Sequence, residues 1–367
     1  MEPLKNIYNP VFLGKVADVG AATVKGFDKK AFLDQVFSGD WIDLELKQRI
    51  RRISTVLHQM LSGDFRKDIK QVLTFSDGLH KLSGRDDSYL YMFVPDYIEQ
   101  FGIDNVDAAL QAMEKVTVLS SCEYAIRPFI VNDKVHVLGR MLQWATHPHP
   151  SVRRLASEGC RPRLPWGMAL QDLKKDPGLI LPILELLKSD QSEFVRRSVA
   201  NNINDIAKDN PQVVMKLVEG WKGKDPNTDW IIKHGCRTLL KKADQNALSF
   251  FGLSLDPGCR VEGLNTTQKA IRIGDHLHFN FRLLVVAKEP VLLRIEYVIT
   301  YAKANSKESK KVFKITENTY RPGQVVDFSR RQSFADMTTR RHYSGAHSIA
   351  IAINGKQFAA CAFDVVG

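Results

Sequence analysis

The sequence predicts a multidomain protein, all-α over residues 1–255 and all-β over residues 256–367, and three observations carry that division. Near Leu253 the apolar periodicity changes from the helical i, i+3, i+4 spacing to strict alternation. Upstream, a helical phrase returns: Val152-Arg153-Arg154 is followed 43 residues on by Val195-Arg196-Arg197, and 36 residues after Arg197 stands Lys233 in the degenerate copy TDWIIKHGCRTLL. Downstream, runs such as KAIRIGDHLHFNFRLLVV and PVLLRIEYVITYAK have the alternation and β-branched, aromatic content of strands. A period near 40 residues with paired helices is the mark of a HEAT-like repeat solenoid. About seven short strands in the C-terminal part suggest an immunoglobulin-like β-sandwich.

Taken in order, residues 1–26 read as a loosely helical lead-in, punctuated by Pro3, Pro10 and glycines. Phe27 to Met60 is helical with a break at Ser38-Gly39-Asp40. Phe65 to Leu82 and Val106 to Leu119 are amphipathic helices, and Tyr89 to Phe101 is less regular. In SSCEYAIRPFI, Glu123 follows an apolar helix and precedes Arg127-Pro128. The stretch HPHPSVRRLASEGCRPRLPWG opens with two His-Pro pairs, places Ser151 as an N-cap, and is stopped by Pro162 and Pro165. Within it Val152, Leu155, Ala156, Gly159 and Cys160 form one buried stripe, while Arg154, Glu158 and Arg161 share another face and Trp166 follows in the exit loop.

Stacking of such helices would set Arg154, Arg197 and Lys233 in a basic column along one concave wall. In the second copy, Asn201, Asn202, Asn204 and Asp205 crowd one turn with poor helix formers, which suggests a task beyond propping up the helix. After Leu253, KKVFKIT, SIAIAIN and QFAACAFDVV add further strands, and Asn354-Gly355 signals a tight hairpin. Arg330-Arg331 and Arg340-Arg341-His342 fall in the expected loops. His276 and His278 share a strand face with nothing nearby to complete a metal set.

Charge points to an anionic partner. The net charge is +11. Residues 260–367 hold 17 Lys and Arg against 9 acids, a net of +8, and residues 127–175 hold nine basic side chains against three acids. Such clustering reads as a nucleic-acid footprint. The expected contacts are Arg153, Arg154, Arg161, Arg163, Arg197 and Lys233 in the first domain and Arg330, Arg331, Arg340 and Arg341 in the second. No apolar run approaches a membrane span, and the polar start MEPLKNIYNP has no signal-peptide core, so no membrane role and a cytoplasmic location are expected. Five scattered cysteines without CxxC spacing fit a reducing compartment and argue against a zinc site.

Several stretches together resemble a known family: FDKKAFLDQVF, LELKQRIRRIS, SCEYAIRPFI, HPHPSVRRLASEGCRPRLPW and SEFVRRSVANNINDIAKDNP. They are similar to the alkylpurine DNA glycosylases of the AlkC type and, more distantly, to those of the AlkD type, through most of residues 1–255. The resemblance implies excision of cationic N-methylated bases from double-stranded DNA by a monomer: 3-methyladenine, 3-methylcytosine and 1-methyladenine. It also implies that Glu123, Arg154, Glu158, Trp166 and Asp205 belong to the site.

The chemistry is consistent with that implication. A cationic base is already a good leaving group, so neither a general acid, a metal nor an organic cofactor is required. What remains is an oxocarbenium-like sugar and an attacking water. Asp205 and Glu158 are expected to stabilise the one and orient the other, with Glu123 in support. Trp166 offers cation–π attraction. The alternatives are a non-catalytic HEAT-repeat scaffold that binds DNA or protein, and a nuclease whose carboxylates hold metal ions.

Overall fold

The computed structural model describes residues 3–84, 88–303, 308–337 and 341–367. Two compact units divide the chain, Met1–Gly235 and Cys236–Gly367. Among the described residues there are sixteen α-helices followed by eight strands, the helix-then-strand order that the periodicity predicts.

The helical unit opens with α1 (Pro10–Thr23), α2 (Lys29–Val36), α3 (Leu46–Gln59) and α4 (Phe65–Leu82). The lead-in is more regular than its prolines suggest. Pro10 occupies the first helical position of α1, where its missing N–H is no loss, and Asn9 accepts from the Phe12 amide as N-cap. There follow α5 (Phe93–Phe101), α6 (Val106–Val116), α7 (Ile126–Asn132), α8 (Lys134–Trp144) and α9 (Pro150–Glu158). Then come α10 (Gln171–Lys175), α11 (Leu181–Leu187), α12 (Glu193–Ile206), α13 (Pro211–Trp221) and α14 (Pro226–Gly235).

The recurring VRR phrase falls on α9 and α12, and α12 packs against both α9 and α14. The α9–α12 interface carries a polar seam. Ser157 and Ser198 hydroxyls lie 2.6 Å apart, and Asn202 donates its side-chain amide to the Ser157 carbonyl at 2.8 Å. Three of the four polar residues crowded into the last turns of α12, Asn202, Asn204 and Asp205, are thus buried in the protein rather than frayed.

The second unit begins with α15 (Arg237–Lys241) and α16 (Gln245–Phe250), then β1 (Cys259–Thr266), β2 (Ala270–Arg272), β3 (His276–Val285) and β4 (Val291–Ala302). It continues with β5 (Glu308–Tyr320), β6 (Val325–Ser333), β7 (Gly345–Ile353) and β8 (Lys356–Val366). A three-stranded sheet, β1-β3-β6, and a five-stranded sheet, β2-β8-β7-β4-β5, enclose the alternate apolar residues Leu277, Phe279, Phe281 and Leu283 of β3 with Ile349, Ile351 and Ile353 of β7. Asn354 (φ 49°) and Gly355 (φ 79°) make the hairpin turn between β7 and β8, both left-handed as a two-residue hairpin loop demands.

One placement differs from expectation. Arg330 and Arg331 are not in a loop but on β6, the edge of the three-stranded sheet. A strand open on one side needs a single apolar face, and charge on an edge discourages pairing with another chain. Its polar composition therefore hides its strand character. Arg341 lies outside the strands, and Arg340 lies outside the described residues.

Candidate active site

The site is assembled at the C-terminal end of α9. The helix starts two residues earlier than a Ser151 cap would give: Pro150 takes the first helical position, and His149 is the cap, its Nδ1 accepting from the Ser151 amide at 3.2 Å. Burial, with His147, Arg153 and His80 nearby, pushes the His149 pKa down and keeps that ring a neutral acceptor. Gly159 closes the helix. A Cβ there would lie 2.7 Å from Ile126 Cγ2, so only glycine lets the chain pass α7 this closely.

The two arginines of each VRR phrase do different work. Arg153 turns back to the preceding loop, donating to the carbonyls of His147 (2.9 Å) and Pro148 (2.8 Å) and pairing with both Asp190 oxygens. Arg196 repeats the gesture one phrase later, holding the carbonyls of Asp190 and Gln191 at 2.8 Å each. The first arginine thus braces the turn before its own helix. Arg154, the second, faces the site. Its Nη1 donates to Glu123 Oε2 at 2.7 Å and to Ser121 Oγ at 3.3 Å. Its Nη2 lies 3.6 Å from Glu158 Oε1, and its guanidinium lies 4.5 Å from the Phe194 ring centroid.

From there the charges alternate without interruption. Arg161 Nη1 donates to Glu158 Oε1 at 2.6 Å and its Nε to Asp205 Oδ2 at 2.8 Å; Lys208 completes the row on Asp205 Oδ1 at 2.8 Å. The sequence is Glu123, Arg154, Glu158, Arg161, Asp205, Lys208. Glu158 is only 4% exposed and Asp205 only 1%. Burial alone would lower the Arg161 pKa, but Glu158 and Asp205 outweigh it and hold it above the ordinary arginine value. Glu158 Oε2 is buried and has no hydrogen-bond partner among the described residues. An acceptor left so is costly unless something else uses it.

Trp166 stands apart, 69% exposed, with a left-handed backbone at φ 65°. It rims a cleft of about 190 Å³ that Lys47, Tyr124, Ser121 and Met168 also line. Ser121 connects that cleft to the charged row, since its hydroxyl donates to Glu123 Oε2 at 2.8 Å.

The other expected cations differ in their surroundings. Arg161 is buried between carboxylates rather than aligned at a surface. Arg163 is paired with both oxygens of Asp209. Arg197 is exposed and bridges to Glu193 one turn away, and Lys233 is half-buried on α14. On β6, Arg330 and Arg331 are exposed, with the Arg330 guanidinium 5.7 Å from the Phe328 centroid. Part of the positive charge of the strand unit is matched internally, as in Arg294 with Glu296 and Glu317. Among the described residues no group of three or more His, Cys, Asp or Glu is placed to hold a metal ion, and no helix is long and apolar enough to cross a membrane.

Ser121, Phe194 and Lys208 were not legible as site residues. Lys208 carried a local signal, standing three positions after Asp205 in the turn that follows α12; Phe194 carried none, because its partner Arg154 is on another helix.

A helical unit with a row of alternating acids and bases, buried at its centre, followed by a β-sandwich, is the arrangement these residues define. Residues 99–239 match the family described as DNA alkylation repair enzyme, and residues 260–367 match the C-terminal Ig-like domain described for the uncharacterised protein YhaZ. The chain is 40% identical over 356 residues to the uncharacterized protein YhaZ of Bacillus subtilis (strain 168), covering 97% of each. It also matches, over 100% of both chains with 34% identity and a TM-score of 0.93, Pseudomonas fluorescens alkylpurine DNA glycosylase AlkC bound to DNA containing an abasic site analog. The chain belongs to the DNA alkylation repair enzymes of the AlkC type that carry a C-terminal immunoglobulin-like domain.

Proposed function

We propose that this chain is a DNA glycosylase of base excision repair. It hydrolyses the N-glycosidic bond of cationic N-alkylated bases, among them 3-methyladenine, 3-methylcytosine and 1-methyladenine, in double-stranded DNA. The observation that carries the reading is the buried carboxylate pair, Glu158 and Asp205, which shares Arg161 and leaves Glu158 Oε2 without a hydrogen-bond partner among the described residues. The similarity to a glycosylase bound to DNA with an abasic site analog supports it, because hydrolysis of an N-glycosidic bond leaves an abasic site.

In this reading α9, α12 and α14 are successive members of a HEAT-like stack that presents the row to the duplex. The departing base carries its own positive charge and needs no proton. As the bond to the sugar lengthens, positive charge moves to the deoxyribose, and fixed carboxylates stabilise it without reorganising. Glu158 Oε2 is free to accept a hydrogen bond from the attacking water, and Asp205 adds the second negative charge. Glu123 holds Arg154 in place. Trp166 supplies an indole face for the cationic base or the sugar. Arg330, Arg331 and Arg341 of the strand unit add phosphate contacts that carry no sequence information.

The test is release of free methylated base from alkylated duplex DNA in the presence of EDTA. Release identifies a metal-independent glycosylase. Binding without release supports a scaffold, and strand cleavage that needs a divalent ion supports a nuclease.

A further inference from the structure

The loop from Gly159 to Leu170, which carries Arg161 and Trp166, is held by cations acting on its carbonyl groups. Arg127, fully buried on α7, donates Nη1 to the Gly159 carbonyl at 2.8 Å and Nε to the Met168 carbonyl at 2.7 Å. Burial drives its pKa down to about 10. Lys47, on α3, donates its ammonium to the Trp166 carbonyl. The Gly167 amide bonds the Leu164 carbonyl and the Leu170 amide bonds the Pro162 carbonyl, so the loop is cinched at its neck as well.

Two features make the Lys47 contact unusual. Trp166 adopts φ 65°, a conformation that a bulky side chain takes only when its surroundings impose it. Lys47 itself sits in the first turn of α3, where the helix dipole disfavours a cation, and the capping box of Glu45 and Gln48 already satisfies that end. Lys47 therefore does little for its own helix. Its ammonium also lies 5.9 Å from the Tyr124 centroid, at the cleft Trp166 rims.

We infer that Lys47 is a positioning residue: it clamps the Trp166 carbonyl, locks the left-handed turn and so aims the exposed indole. The role rests on the glycosylase reading for its consequence in rate, but the clamp can be observed without DNA.

The experiment uses the full chain as Lys47→Met, Lys47→Arg, Trp166→Ala and the Lys47→Met/Trp166→Ala pair. Lys47 is exposed, so these variants are expected to melt like the parent. Because a small misplacement of a contacting group can cost up to about 100-fold, Lys47→Met should slow single-turnover base release by about 10-fold or more. Lys47→Arg, which keeps a cationic donor, should restore it to within about 3-fold. In the Trp166→Ala background the same Lys47→Met change should cost less than about 2-fold, since coupled residues are not additive. An undiminished penalty there would mean that Lys47 acts on its own, as a phosphate contact does, and would overturn the inference.

The DNA-free arm uses protein labelled with 5-fluorotryptophan. Of the five tryptophan resonances, the one lost in Trp166→Phe should shift or broaden in Lys47→Met while the other four stay in place. An unmoved Trp166 resonance in folded Lys47→Met overturns the clamp even if the parent excises base. A moved resonance in a protein that releases no base keeps the clamp and rejects the glycosylase reading.

Discussion

Glu158 and Asp205, on different helices, share a single guanidinium: Arg161 reaches one through Nη1 at 2.6 Å and the other through Nε at 2.8 Å. Arg161 thus ties the two buried carboxylates together across the helix pair, and its own place is set by the loop that leaves α9.

The catalytic reading predicts that Asp205→Asn and Glu158→Gln keep the fold and undamaged-DNA binding but lose base release. Removing one preorganised electrostatic group typically costs roughly 10²–10³ in rate. Single-turnover release of 3-methyladenine or 3-methylcytosine, beside thermal melts, checks this. Parent rates in both folded variants would make the acids structural.

Arg161→Ala should be a stability mutant before it is an activity mutant. Removing one partner from a buried ionic row typically costs about 3–5 kcal/mol. The exposed Arg197–Glu193 pair, a turn apart on α12, is worth less than about 1 kcal/mol, so Arg197→Ala should leave the urea midpoint nearly unmoved. Equal shifts in the two variants would contradict the burial argument.

Trp166→Ala should reduce excision of a cationic base more than affinity for undamaged DNA, because cation–π attraction needs the charge. The comparison is single-turnover release against equilibrium binding to an unmodified duplex. A loss confined to binding would reassign Trp166 to general DNA contact.

For the strand unit, the double variant Arg330→Gln/Arg331→Gln should weaken binding to all duplexes alike and lower the slope of log K against log salt by about 1 to 2. Both side chains are exposed on an edge strand, so folding should be unaffected. An unchanged slope would remove β6 from the DNA interface.

A fragment of residues 236–367 should resist urea better than one of residues 256–367. The β7–β8 hairpin tip packs on the segment ahead of the strands: Asn354 donates to the Ser254 carbonyl at 2.8 Å, and a Cβ on Gly355 would lie 2.2 Å from Ala243 Cβ. Indistinguishable midpoints would show these contacts to be idle.

How far the fold was legible depended on how local its signals were. Phe65 to Leu82 is α4 to the residue, because Asp64 caps it and its stripe is unbroken. Asn354-Gly355 announced its turn through backbone chemistry alone. Pro10 and Pro150 misled in the same way, each read as a barrier although each begins a helix. Arg330 and Arg331 misled because an edge strand exposes what an inner strand buries. The acids of the candidate site could be proposed from the chain, but not the partners they chose. That Arg161 faces inward and Arg154 stacks on Phe194 depends on distances between helices, which no local pattern encodes.

The seam between α9 and α12 has a mechanical consequence. Apolar helix faces can slip past one another by fractions of an ångström at little penalty, whereas the Ser157–Ser198 contact and the Asn202 bond to the Ser157 carbonyl engage only at one setting. They act as a detent. Serine and asparagine each give up about half a kcal/mol of helix propensity relative to alanine. In exchange, the distance from Glu158 on one helix to Asp205 on the other is fixed by hydrogen-bond lengths, which vary far less from state to state than the thickness of a greasy interface.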